Sequence, residues 1–199
     1  MKPIALISMA ALLGACSTTS PSSESASVNA AGEYIVVQDG TTHTLETVSN
    51  ATSNGVSIDL LRVGAAGAGT AYGFSNADVT AVGGQADGTF ITGLSGTQTV
   101  GLPTSGTLDL TGRFGFYDGS AQESGEMNLT ANFGAGTFAG SGTFGSSVSG
   151  TISGTNITGT FNRLGSTGTL NGGFYGSAAA PTMAATITGA NLAGILVVN

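Results

Sequence analysis

Scarcity marks this chain. It holds one cysteine, one histidine and no tryptophan, and charged residues make up only 8% of it. Cys16 has no partner within the chain, so neither an internal disulfide nor a cysteine-only metal cluster can form. A Ser-His-Asp triad would require His43, which sits at a hairpin start in a polar, exposed pattern. Beyond Lys2 the basic residues are Arg62, Arg113 and Arg163, against eleven acidic ones. No basic patch exists to track phosphates, so nucleic acid is excluded as a partner. The sequence contains no GxSxG, HExxH or P-loop motif. Gly67–Gly73 and Gly134–Gly140 are glycine-rich but miss the GxGxxG spacing and precede no helix. The acids are scattered, so paired carboxylates for glycoside hydrolysis find no support. The expectation is a non-enzyme with no cofactor and no metal site.

Long apolar runs are also missing. Ile4–Leu13 is too short to cross a bilayer as a helix. After the positive start of Met1-Lys2 it suits the apolar region of a secretion signal. Leu13-Gly14-Ala15-Cys16 resembles the bacterial lipobox: two small residues let the peptidase approach the backbone, and the thiol accepts the lipid. Cys16 is therefore the expected lipidation site. Ser17 follows it in place of the aspartate that retains lipoproteins at the inner membrane, so the resemblance implies outer-membrane delivery. Residues 1–15 read as signal peptide. Residues 16–32, dominated by Ser, Ala and Thr, read as a flexible tether.

What the chain has in excess is glycine, 34 residues, with abundant Thr and Ser and 40% hydrophobic residues. Low charge with that apolar content argues against disorder, and the absence of a collagen period points to all-β structure with many turns. No segment after the signal keeps a helical period. Two-residue alternation is widespread instead. Leu108, Leu110, Phe114 and Phe116 share one face, and so do Met127, Leu129, Ala131 and Phe133. Phe138 and Phe144, Val148 and Ile152, Ile157 and Phe161, Leu170 and Phe174, and Met183, Ala185 and Ile187 continue the pattern. The last run, Leu192 to Val198, is apolar on both faces. Eight short strands with Gly, Asn and Ser turns predict a closed antiparallel barrel over residues 102–199. Phe114, Phe116, Phe133, Phe138, Phe144, Phe161 and Phe174 are expected to fill its interior, with inward glycines relieving the crowding.

Strands shorter than the roughly 9–11 residues needed to span, polar outer faces without aromatic girdles, and a final Asn199 favour a soluble barrel over a membrane barrel. Residues 33–101 are less regular and read as an N-terminal β appendage. Tyr34–Gln38 and Thr42–Thr47 form a hairpin around Asp39-Gly40. Val56–Leu60 alternates, and Thr70–Phe74, Asp78–Val82 and Thr89–Thr92 are weaker strands. Asp109 and Arg113 share a face and are placed to pair on the surface. Tyr34, Tyr72, Tyr117 and Tyr175, like His43, are candidate haem ligands whose plainer role is structural.

Leu170-Asn171-Gly172-Gly173-Phe174-Tyr175-Gly176, followed by Ala178–Ala180, resembles the barrel domain of the transferrin-binding protein B family. The resemblance extends back through Ile157-Thr158-Gly159-Thr160-Phe161, Asn132-Phe133-Gly134 and Ser105–Gly112. It implies an outer-membrane lipoprotein with a handle subdomain and an eight-stranded barrel, whose loops capture a protein or haem ligand. The chain departs from that family in its size, its lack of long basic loops and its Ala178-Ala179-Ala180-Pro181 segment. A small single-barrel relative with a ligand of its own is the expectation. Its role is either binding, held to a membrane by Cys16, or a structural or protease-inhibiting role in the envelope.

Overall fold

The computed structural model describes residues 24–53, 55–64 and 68–199. The expected signal segment, Cys16 and the stretch of the expected tether up to residue 23 lie outside the described residues. Seven strands form an antiparallel sheet in chain order: β1 (Ser25–Val28), β2 (Tyr34–Gln38), β3 (Thr41–Ser53), β4 (Val56–Val63), β5 (Gly69–Ser75), β6 (Val79–Ala86) and β7 (Thr89–Gly96). Eight more close into an antiparallel barrel: β8 (Thr107–Tyr117), β9 (Gln122–Asn132), β10 (Thr137–Gly142), β11 (Ser147–Ser153), β12 (Asn156–Arg163), β13 (Ser166–Tyr175), β14 (Thr182–Gly189) and β15 (Leu192–Val198). The all-β fold with a closed eight-stranded antiparallel barrel is as the alternation predicts.

The barrel is apolar inside and polar outside, the reverse of a membrane barrel with a watery lumen. Leu110, Phe114, Phe116, Met127, Phe161, Leu170 and Phe174 are buried in its interior. Across the outer wall, paired positions carry Thr137, Thr151, Thr158 and Asn171 in one row. Inward glycines make room for rings: a Cβ on Gly150 would stand 2.6 Å from the Phe138 ring, and one on Gly159 2.8 Å from it. The outer faces of β14 and β15 are the exception to polarity. Ala184, Ile195 and Val197 pack there against Val56, Ile58, Tyr72, Phe74, Val79 and Ala81 of the first sheet. That contact explains why β15 is apolar on both faces. The sheets touch closely because glycines meet there: Gly83 lies on the backbone of Gly194, and Gly115 lies under the Tyr72 ring.

Four expectations need correction. Phe144 is not in the barrel interior. The strand stops at Gly142, where the Gly142 N–H bonds to the Ser146 carbonyl, and Thr143–Gly145 forms a 3-10 turn. Phe144 takes φ 58° in that turn and is 58% exposed. Not every strand is short: β8 and β9 have 11 residues and β13 has 10, so outer-face polarity, not length, distinguishes this barrel. Ser25–Val28 falls inside the stretch read as tether but forms β1, paired with β2. An edge strand is held by backbone hydrogen bonds, so one buried side chain, Ala26, suffices. Asp109 and Arg113 do not pair. The Thr130 hydroxyl donates to Asp109, and the Arg113 Nε is buried without a partner.

All barrel turns fall at two ends. Residues 118–121, 143–146, 164–165 and 190–191 make one, here the tip end. Residues 133–136, 154–155 and 176–181 make the other, with the linker 97–106 that joins sheet to barrel.

Candidate functional site

The barrel interior offers no room for a ligand. Phe161 sits 5.4 Å from Phe114 and 5.5 Å from Phe116, ring centroid to ring centroid, and Phe133 lies 5.7 Å from Phe174. Rings at this spacing are in direct contact. A ligand must therefore be met from outside, by the walls or by the ends.

The candidate haem ligands are all in structural positions. Tyr34 is buried and donates its hydroxyl to Asp59 Oδ2 at 2.7 Å. Burial first, then the bond and the charge of Asp59, push its ionisation far above the ordinary tyrosine range. Burial also raises Tyr72 and Tyr175, which lie where the sheet meets the barrel. Tyr117 is half-buried, with the Phe90 ring 6.2 Å away. His43 is not the solvated residue its exposed neighbours suggest. Its side chain is 10% exposed, with Nδ1 3.7 Å from Asp87. Among the described residues no cluster of three His, Cys, Asp or Glu is placed to hold a metal.

The linker end carries a built groove. A cleft of about 390 Å³ is lined by Leu102, Pro103, Phe133, Ile152, Gly154 and Thr155, among others. Its lining sets the apolar side chains of Leu102, Pro103, Phe133 and Ile152 beside Thr104 and Thr155. The linker that forms one side is pinned in place. Gln98 donates from Nε2 to Asn156 at 2.8 Å and accepts from the Thr155 hydroxyl at 3.0 Å, so its amide ties the linker to the β11–β12 turn. The Thr99 N–H donates to the Phe174 carbonyl at 2.9 Å. Between these ties and the groove stands Val100, 89% exposed. A rigidly held segment that projects an apolar side chain beside an apolar cleft can bind without much ordering cost. Sequence reasoning missed this site, because nothing in Gln98–Gly101 marks it except a valine between polar residues.

At the tip end, Arg163 donates through Nε and Nη2 to Glu123 Oε1 at 2.9 and 2.6 Å. The two are 40 residues apart, which no local pattern reveals. Asp118 is held below the usual carboxylate range by the backbone N–H groups of Ala121 and Ser120 and by the Ser120 hydroxyl.

No protein-family model matches the chain, and no curated protein sequence does. Solved structures do. A variant of transferrin-binding protein B from Haemophilus parasuis superposes with a TM-score of 0.51 at 13% identity, over 83% of this chain. The haemoglobin receptor HpuA from Kingella denitrificans, in complex with human haemoglobin, superposes with a TM-score of 0.51 at 15% identity. The chain has their fold. It spans only 40% of the length of the transferrin-binding protein, but 89% of it aligns with 90% of HpuA. The seven-stranded sheet precedes the closed eight-stranded barrel in the chain. Both neighbours are named for what they bind, not for a reaction.

Proposed function

We propose that this chain is an outer-membrane lipoprotein, anchored through a lipid on Cys16, that binds a protein ligand at the linker end of its handle and barrel. The observation that carries the reading is the alignment with the haemoglobin-bound receptor over nine-tenths of both chains. The filled barrel supports a surface contact in place of an internal pocket. The structural placement of His43 and the tyrosines supports a protein ligand over free haem, since axial ligation needs an accessible side chain. Val100, Leu102 and the groove beside them are the residues assigned to contact. The lipobox supports the anchor, and the acidic balance of the chain leaves electrostatics unable to hold it at an anionic membrane.

The test is a binding titration of the mature lipidated chain in detergent against haemoglobin, transferrin and free haem. The expected result is micromolar or tighter binding of one of the two proteins, weakened at least tenfold in Val100→Asp. Absence of binding to either protein, or a haem absorbance shift unaffected by Val100→Asp, contradicts the proposal.

A further inference from the structure

Among the described residues, three hairpins turn through two residues that both have positive φ. Asp39-Gly40 takes 50° and 77°, Asp87-Gly88 takes 50° and 78°, and Leu164-Gly165 takes 37° and 93°. Aspartate tolerates the left-handed conformation; leucine is penalised in it by its Cβ. Leu164 is also 82% exposed, so no core contact offsets the strain. The neighbouring hairpin repeats the anomaly with Phe144, at φ 58° and 58% exposed. That turn is clamped: the Ser146 N–H and hydroxyl both donate to the Thr143 carbonyl, at 3.1 and 2.8 Å. Arg163 spans the two tips, with its guanidinium carbon 5.4 Å from the Phe144 ring centre. Two large apolar side chains are thus held rigidly outward on adjacent tips, where turn chemistry favours Asp, Asn or Gly. Strain of this kind points to a contact outside the fold.

The direction of the chain says what that contact is. Ser25 pairs with Val37, two residues before Asp39 opens the β2–β3 turn, and Glu24 accepts from the Thr92 hydroxyl at 2.6 Å. The chain therefore joins the sheet near its Asp39-Gly40 and Asp87-Gly88 turns. These lie at the barrel's tip end, because Phe90 next to the second of them meets Tyr117 and Gly119. Cys16 is eight residues before Glu24. At about 3.5 Å per residue, that is a reach of at most about 28 Å. We infer that the tip end faces the bilayer and that Phe144 and Leu164 enter a zwitterionic lipid surface, a second attachment beside the acyl anchor. This rests on lipidation of Cys16. Apolar side chains at the same end add buried apolar area to the acyl anchor. Asp39, Asp87 and Asp118 at that end set the preference for zwitterionic over anionic headgroups. The linker end, with Val100 and the groove, then points away from the membrane toward a ligand.

The absence of tryptophan makes the test clean. Phe144→Trp, Leu164→Trp and Val100→Trp are made in the full lipidated chain and reconstituted in phosphatidylcholine vesicles with brominated acyl chains. Phe144→Trp and Leu164→Trp are expected to shift their emission to the blue and lose intensity; Val100→Trp is expected to do neither. Protein that floats with vesicles while both tip tryptophans stay unquenched, or while Val100→Trp alone is quenched, overturns the inference and leaves the anchor intact. Tip tryptophans that respond only to an added protein partner overturn it as well. Failure to float, with an unmodified Cys16 by mass spectrometry, overturns the anchoring proposal itself.

Discussion

The two halves of this molecule solve the same problem differently. The barrel buries its large rings against one another inside a closed cylinder, and it leaves no strand edge unpaired. The first sheet curls until β1 and β2 approach β7, but it does not close. One of its faces packs a smaller core of Tyr34, Val36, Leu45, Leu61 and Ile91. The other is covered by the barrel's own outer wall at Ala184, Ile195 and Val197. Its edges are drawn together by a side chain: Gln38 donates to the Phe90 carbonyl at 3.1 Å and accepts from the Thr92 N–H at 2.9 Å. The barrel has a complete core of its own, while the sheet depends on its neighbour. A protein built this way has one half with a closed core and one half whose position depends on a single seam.

The largest effect expected is in the barrel. Phe161→Ala removes the ring that touches both Phe114 and Phe116 and should cost about 3–5 kcal/mol. Urea unfolding should then show both halves lost together, because the sheet cannot outlast the wall it leans on. A sheet that stays folded after the barrel melts would break the asymmetry.

The seam can be attacked without touching the barrel core. Gly83→Val places a side chain against the Gly194 backbone and should cost about 1–3 kcal/mol. Limited proteolysis should then cut the first sheet while residues 107–198 survive. Equal protection of both halves would show that they are not separable.

Alkali sharpens the same contrast. The three tyrosines with raised ionisation lie in the sheet core or at the seam, none in the barrel interior. A folded state that holds the proton more tightly than the unfolded chain is fully stabilised below the ordinary tyrosine value of 10.0 and loses stability as pH rises beyond it. The sheet should therefore loosen above that pH before the barrel does, as read by hydrogen exchange of Val36 and Leu61 against Phe114 and Leu170. Simultaneous loss would contradict the assignment.

The smallest effect has the opposite sign. Leu164→Asn relieves a left-handed leucine and should stabilise the barrel by up to about 1 kcal/mol in thermal melts. A destabilised variant would mean that Leu164 serves the fold and not a contact beyond it.

The barrel was legible in the sequence because period-two alternation and inward phenylalanines report burial directly. Legibility failed where backbone geometry, not hydrophobicity, decided. Alternation runs through Gly142 to Phe144, and only the Gly145-Ser146 pair hints that the chain has already turned. Ser25–Val28 carries almost no apolar signal, since an edge strand needs little. Arg163 and Glu123, and likewise Gln98 and Asn156, meet across strands distant in sequence. The end where Val100 and the groove lie became visible only when the linker was seen pinned beside the barrel mouth. Leu13-Gly14-Ala15-Cys16 is the reverse case: it is read from residues alone and lies outside the described structure.

The proposed anchor on Cys16 therefore carries the most weight and is the most direct thing to measure. Cells producing the wild-type chain or Cys16→Ser are grown with a radioactive fatty acid, and the purified protein is counted. The account predicts label on the wild type, none on Cys16→Ser, and the same barrel circular dichroism from both. Label that persists on Cys16→Ser, or a wild type that takes up none, would contradict it.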